Sequence, residues 1–348
     1  MDFGIFVEQM RRGNNQTDAF REMQALAEAS ESWGLDTMWL AEMMINPGRS
    51  VLSAPLLMAS WIASRTKRLR TGTAVQLLPL NHPLRVAGEI TTLDHLSQGR
   101  FEFGIGRSGS PRAYDALGIA YEESQERFFE ALEVILTAWK GDRFSYDGKY
   151  YKFANAEVSP RPFQTPHPPV RMASTTAENF PRVARLGLPI FVGLRGMSIP
   201  ELAGYLKNYR EAWQAAGHPG DGNVCLRVPV YVAPTAKAAV EEPRETITYY
   251  FQRQADLTRA PMGRAGTGPV ERRETQARTL STLSYEEILA TKVVFGTPEG
   301  LVDRLTELKD QLGLRGIAAE LNPGGLLSFE QELRSLQLMT QQVMPAFK

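Results

Sequence analysis

A few of the 348 residues stand where a side chain could do chemistry. Glu42 lies in Asp36-Thr37-Met38-Trp39-Leu40-Ala41-Glu42-Met43-Met44, just past a short apolar run, and offers a carboxylate for proton transfer. The same carboxylate could cap a helix or pair with an arginine. Met43 and Met44 beside it give soft apolar surface suited to an aromatic ring or an alkyl chain, or fill a core gap. His82, in Asn81-His82-Pro83, is of the type most used for acid–base work near neutral pH, although a loop-to-helix junction also suits a histidine that fixes a helix start. Arg107 ends Gly104-Ile105-Gly106-Arg107, where a guanidinium can grip phosphate through two parallel hydrogen bonds. Gly104, Gly106 and Gly109 have GxGxxG spacing, but no helix is expected to open at this loop, so it does not make a dinucleotide-binding fingerprint. Ala173-Ser174-Thr175-Thr176 adds a second phosphate-binding candidate, small hydroxyls opening a helix. Its alternative is an ordinary N-cap by Ser174 or Thr175, with Glu178 completing a capping box.

The elements that must carry these residues alternate from end to end. Strands are expected at Phe3–Val7, Thr37–Leu40, from Arg70, at Phe101–Ile105, Val170–Ala173, near Pro189–Val192, at Cys225–Val232 and at Gly316–Glu320. Helices are expected at Asp18–Ser32, Ser53–Ala63, Leu84–Leu96, Tyr121–Trp139, Ala177–Arg185, Ile199–Ala216, Ala236–Gln252, Thr297–Leu312 and Phe329–Val343. Eight strand–helix pairs in one chain favour an α/β fold of the closed (β/α)₈ TIM-barrel type, as one domain, over an open doubly wound sheet. In such a barrel the carboxyl ends of the strands form the mouth, which is where Glu42 and Arg107 fall. Two segments interrupt the alternation. Phe144 to Phe153 reads as a β-hairpin turning at Asp147-Gly148, followed by a proline-rich connection, so that an insertion spans about 141–169. Arg253 to Thr282 has too few apolar residues for core and reads as an irregular, mobile lid.

Composition narrows the partners. With 39 acidic and 39 basic residues the chain is formally neutral, which removes the electrostatic case for nucleic acid or an anionic membrane surface. No apolar run approaches the roughly 20 residues of a membrane span. His95, His167 and His218 are scattered, Cys225 is the single cysteine, and no cluster has metal spacing, so no metal is expected. One cysteine and no leader-like start read as cytoplasmic.

Longer stretches resemble one family. WGLDTMWLAE at 33–42, the run from Gly72 to Ser108, PRPFQTPHPP at 160–169, ASTT at 173–176, FGTPEGLVDRL at 295–305 and LNPGG at 321–325 are together similar to the bacterial luciferase-like flavin monooxygenases. The resemblance implies a (β/α)₈ barrel, commonly a homodimer. It implies reduced FMN supplied by a separate NAD(P)H:flavin reductase, and dioxygen activated as a flavin hydroperoxide. It implies a cis peptide between Ala74 and Val75 beneath the flavin ring, phosphate binding by Arg107 with Gly106 behind it, and the rest of that site around Met172, Ser174 and Thr175. Where luciferases proper have Glu-His-His this chain has Glu42-Met43-Met44, which points away from light emission. The expected activity is monooxygenation of an apolar organic small molecule. A deazaflavin-dependent oxidoreductase and a non-catalytic flavin-binding protein are the alternatives.

Overall fold

A computed structural model describes residues 1–8 and 15–348. Eight parallel strands close on themselves: β1 (Asp2–Val7), β2 (Thr37–Leu40), β3 (Arg70–Thr73), β4 (Phe101–Gly106), β5 (Val170–Ala173), β6 (Ile190–Gly193), β7 (Val224–Val232) and β8 (Gly316–Glu320). Each pairs with the next, and β8 pairs back onto β1 with Asp2 opposite Gly316 and Ile5 opposite Ala319. The expected TIM barrel is therefore the fold. β1 and β2 read as near-continuous apolar runs because both of their faces are buried, one against helices and one inside the cylinder, while β3 is built of small and polar residues, Arg-Thr-Gly-Thr.

The cylinder is filled by Phe6, Trp39, Phe191, Cys225 and Ala318, with Val75 and Met43 packed on top. Trp39 meets Phe191 edge-on at 4.8 Å between ring centroids, and Gly72 is a glycine because a Cβ there would lie 2.4 Å from the Trp39 ring. One large indole thus takes the volume that smaller side chains on neighbouring strands give up, which keeps the interior close-packed.

The hairpin forms as expected, from strands Phe144–Asp147 and Lys152–Ala156. It docks on the helix Ser124–Ala138, where Glu130 accepts from the amides of Tyr150 (2.9 Å) and Tyr151 (2.8 Å). The connection that follows is anchored by Asp94, fully buried, which accepts from the amides of Phe163 (2.8 Å) and Gln164 (2.9 Å).

Two expectations need correction. The region 236–252 is not one helix but two, Ala236–Glu241 and Arg244–Arg259, because Pro243 lacks an amide proton and cannot continue the first. The segment 253–282 is not irregular: it completes Arg244–Arg259 and supplies a second helix, Val270–Thr282. The two pack through Ile247, Tyr250, Phe251, Ala255 and Leu280 into a small core shared with Tyr285, Ile288 and Val293 beyond them. Only 260–269 between them is non-helical. This arm reaches across the mouth. Thr246 sits under the loop after β8, Gln276 lies against Gly196 after β6, and Gly266 abuts the backbone of Glu122 while Arg264 pairs with Asp115 at 2.7 Å.

Candidate active site at the barrel mouth

Arg107 follows the last residue of β4, and Ser174 follows the last residue of β5. The two strands pair Ile105 with Met172, so Arg107 and Ser174 lie at the same level, two residues beyond that pair on each. Arg107 is half-buried. Its Nη1 donates to Ser124 Oγ at 2.8 Å and its guanidinium lies 5.2 Å from the Tyr121 ring centroid, while the Tyr114 hydroxyl donates to its carbonyl. Burial raises the Tyr114 hydroxyl, aided by Tyr121, so it stays protonated as that donor. Five N–H groups fan from a guanidinium, and among the described residues Ser124 is the only hydrogen-bond partner they have.

Ser174 does not cap a helix as one reading of the sequence expected. The next helix begins at Asn179 after an uncapped Glu178, so there is no capping box. Instead the Ser174 hydroxyl is buried without any hydrogen-bond partner, a costly state for a hydroxyl. Thr175 is exposed. The Met172 amide is committed to Pro189 O at 2.9 Å and its side chain is buried in the outer core, so the donor this stretch offers is the Ser174 hydroxyl rather than the Met172 backbone.

Between these residues and the centre of the barrel lies the Ala74–Val75 peptide bond, which is cis. Val75 lies directly against Gly106: a Cβ on Gly106 would stand 2.3 Å from Val75 Cγ2. Glycine is required at 106 so that the two strands can approach here. Glu42, two residues past the neighbouring strand β2, accepts from the Leu77 amide (2.7 Å) and Gln76 Nε2 (2.8 Å). Its burial outweighs these bonds and pushes the carboxyl up to about 7. It is a proton donor or acceptor poised near neutrality. Met43 packs on the inner cluster and Met44 is half-buried beside it. His82 is brought to a different place. It is exposed at the start of the helix Pro83–Ser97, makes no side-chain cap, and meets Tyr151 of the hairpin edge-on at 5.7 Å.

The opposite half of the mouth holds residues the sequence reading passed over. Glu8, one residue past β1, and Glu320, the last residue of β8, are both buried. Arg49 Nε donates to Glu8 at 2.6 Å, and Arg227 of β7 donates to Glu320 through Nε and Nη2 at 2.8 Å each and to Glu8 at 3.2 Å. Burial works to raise Glu8, but Arg49 and Arg227 overcome it and hold the carboxyl below its usual range. The signal was available: Glu8 and Glu320 end barrel strands, as Glu42 does. Among the described residues no group of His, Cys, Asp and Glu could hold a metal, and no helix is long and apolar enough to cross a membrane.

Comparison with known proteins decides the family. The family model described as luciferase-like monooxygenase matches residues 1–315. The chain belongs to the luciferase-like monooxygenases. It is similar to an uncharacterized protein of Sinorhizobium fredii, 40% identical over 178 residues, 51% of this chain and 52% of that one, so the alignment spans about half of that relative. It is also similar, 25% identical over 360 residues, to the oxygenase component of the flavin-dependent trigonelline monooxygenase of Acinetobacter baylyi, covering 100% of this chain and 96% of that one. Among solved structures the oxygenating constituent of 3,6-diketocamphane monooxygenase from Pseudomonas putida, in complex with FMN, superposes with a TM-score of 0.83 at 21% identity, over 99% of this chain and 98% of that one. The coenzyme F420 dependent tetrahydromethanopterin reductase of Methanopyrus kandleri shares the fold at a TM-score of 0.73 and 17% identity, over 100% and 99%. This luciferase-like monooxygenase is thus an enzyme of a flavin-dependent oxidoreductase family, within a fold that also serves a second coenzyme.

Proposed function

We propose that the protein is the oxygenase component of a two-component monooxygenase that takes reduced FMN from a separate NAD(P)H:flavin reductase and transfers one oxygen atom of dioxygen to an organic small molecule. The observation that carries this reading is the level pairing of a guanidinium with spare donors, Arg107, and a buried unpartnered hydroxyl, Ser174, at the ends of adjacent strands. Both are suited to a dianionic phosphate, and an anion there would satisfy the hydroxyl that the protein leaves unmet. Gly106, Ala74 and Val75 would form the floor beside it, with Met43 and Met44 as apolar wall for the substrate body. FMN bound there would supply the reducing equivalents and the dioxygen chemistry.

The chain's own residues then have definite tasks. Arg107 and Ser174 bind and orient the phosphate. Glu42, with a carboxyl near 7, is divided between its two protonation states near neutral pH and can give or take a proton at the Oε atom that the Leu77 amide and Gln76 do not use. The arm 244–282 excludes water from the mouth, and its tip contacts at Asp115 and Glu122 are the ones that must break for it to open. His82, exposed against Tyr151, has no comparable task at this mouth. A dimer is proposed as the working assembly.

The test is anaerobic titration of the purified protein with reduced FMN and with a reduced deazaflavin coenzyme, followed by dioxygen uptake with a flavin reductase, NADH and FMN. Tight binding of reduced FMN with coupled uptake is expected. Selective binding of the deazaflavin, with no response to dioxygen, would replace this reading with hydride transfer, and flavin binding without turnover would leave a carrier protein.

A further inference from the structure

The half of the mouth away from Arg107 carries more positive charge than its carboxylates use. Glu8 and Glu320 are taken up by Arg49 and Arg227 in a closed set of hydrogen-bonded pairs. Arg195 is a third guanidinium there, two residues past β6, exposed, and close enough to Glu8 and Tyr250 to act on both electrostatically. Three arginines therefore face two glutamates. Among the described residues Arg195 has one hydrogen-bond partner, Gln254 Oε1 at 3.0 Å, on the arm helix Arg244–Arg259.

Gln254 supplies an independent observation. It is 4% exposed, and its Nε2 is buried with no hydrogen-bond partner. The amide cannot be turned over to relieve this, because its oxygen is the acceptor for Arg195 and a flip would set donor against donor. Buried amide N–H groups are nearly always paired in folded proteins, so an unmet one beside a guanidinium whose one hydrogen bond, among the described residues, goes to the same amide marks a place where an acceptor belongs. A planar carboxylate matches that pair. One oxygen and then the other can accept from the guanidinium fork, and Gln254 Nε2 can donate to the nearer of them.

We propose that Arg195 and Gln254 form a carboxylate-binding subsite, and that the substrate of this enzyme is an organic acid whose apolar body lies on the Met43 side of the mouth. The proposal rests on the oxygenase reading for what the acid is bound to undergo, but the binding itself needs no flavin. Since Gln254 belongs to the arm, the acid would also couple substrate arrival to arm closure.

Calorimetric titration of the flavin-free protein with benzoate, hexanoate and the neutral benzamide tests this. At least one of the two acids is expected to bind, with benzamide at least tenfold weaker than benzoate if benzoate is the binder. Arg195→Met and Gln254→Met should each weaken the acid tenfold or more while leaving reduced-FMN affinity within twofold, and Arg195→Lys should recover part of the loss. Arg107→Ala should do the reverse, weakening FMN and sparing the acid. Circular dichroism melting curves of both Met variants identify any that fail to fold, and Arg195 is exposed enough that its variant should melt with the native protein. Binding by neither acid, equal binding of benzoate and benzamide, or a loss on Arg195→Met confined to FMN would each overturn the proposal, the last by assigning Arg195 to the flavin. Absence of FMN binding with acid binding intact would instead sink only the oxygenase reading.

Discussion

Replacing Glu42 by glutamine puts a number on the proton that this carboxyl holds. Burial lifts the carboxyl from the ordinary 4.5 to about 7 against two hydrogen bonds that favour its charged form. At about 1.4 kcal/mol per pH unit, the ionised form in the fold is disfavoured by roughly 3 kcal/mol relative to the unfolded chain. A group raised on folding contributes fully below its unfolded value, and that contribution is lost as pH rises through the folded one. The native protein should therefore weaken by roughly 3 kcal/mol between about pH 4.5 and pH 8 through this one residue. Glu42→Gln has no proton to lose, and its amide oxygen can still accept from the Leu77 amide and Gln76 Nε2. Thermal unfolding followed by circular dichroism should give nearly coincident midpoints for the two proteins at pH 4.5. At pH 8.5 the variant should melt roughly 4 °C higher, taking about 1.4 °C per kcal/mol from the unfolding entropy of a 348-residue chain. A constant difference across that range would show that Glu42 titrates as an ordinary surface acid, and the proton-handling role would fall with it.

Other perturbations probe the frame around the site. Gly106→Ala should cost about 1–3 kcal/mol and at least tenfold in reduced-FMN affinity, because the new methyl meets Val75 Cγ2; adding Val75→Ala should restore most of both, and no restoration in melting and flavin titration would refute the contact as the cause. Arg227→Met leaves the buried Glu320 without its cation, while Glu8 keeps Arg49, and urea unfolding should show a loss of about 3–5 kcal/mol. Glu31 accepts from the amides of Lys67 (3.0 Å), Arg68 (3.1 Å) and Leu69 (2.7 Å). Burial alone would raise that carboxyl, but these bonds hold it below its usual range, so its contribution is present above about pH 4.5 and lost on acidification. Glu31→Gln should cost about 1–2 kcal/mol at pH 7, with the two unfolding curves drawing together as the pH falls through the acid range.

Most of the barrel strands were legible because they are buried on two faces and so read as short, largely apolar runs, with Thr37–Leu40 and Val170–Ala173 recovered to the residue, whereas β3, Arg70–Thr73, carries no large apolar residue. Amphipathic helices such as Ile199–Ala215, which opens on Ser198 with Glu201 in a capping box, were equally plain. The arm was misread because its core is divided between two helices: Tyr250 and Phe251 fall before the polar stretch and Leu280 after it, so no window contains enough apolar spacing to announce a helix. Ser174 looked like a cap because a hydroxyl before a helix usually is one. Only the position of Asn179 as the helix start reveals that it is not. The pairing of Arg227 with Glu8 joins residues 219 positions apart and Asp94 reaches 69 residues to Phe163, relations that no local pattern carries. Arg107 and Glu42 could be placed at the mouth from the sequence because strand ends at a barrel mouth are few and their side chains conspicuous.

A phosphate held by Arg107 and Ser174 is the feature on which the proposed activity most depends. It is measured most directly by the anaerobic affinity of the native protein and of Arg107→Ala for reduced FMN and for reduced riboflavin, which differ only in that phosphate. The native protein should prefer FMN by roughly ten- to a hundredfold, and Arg107→Ala should lose about 1.5–3 kcal/mol of FMN binding while leaving riboflavin unchanged. Equal affinity of the native protein for the two flavins, or an Arg107→Ala loss of the same size for both, would contradict it.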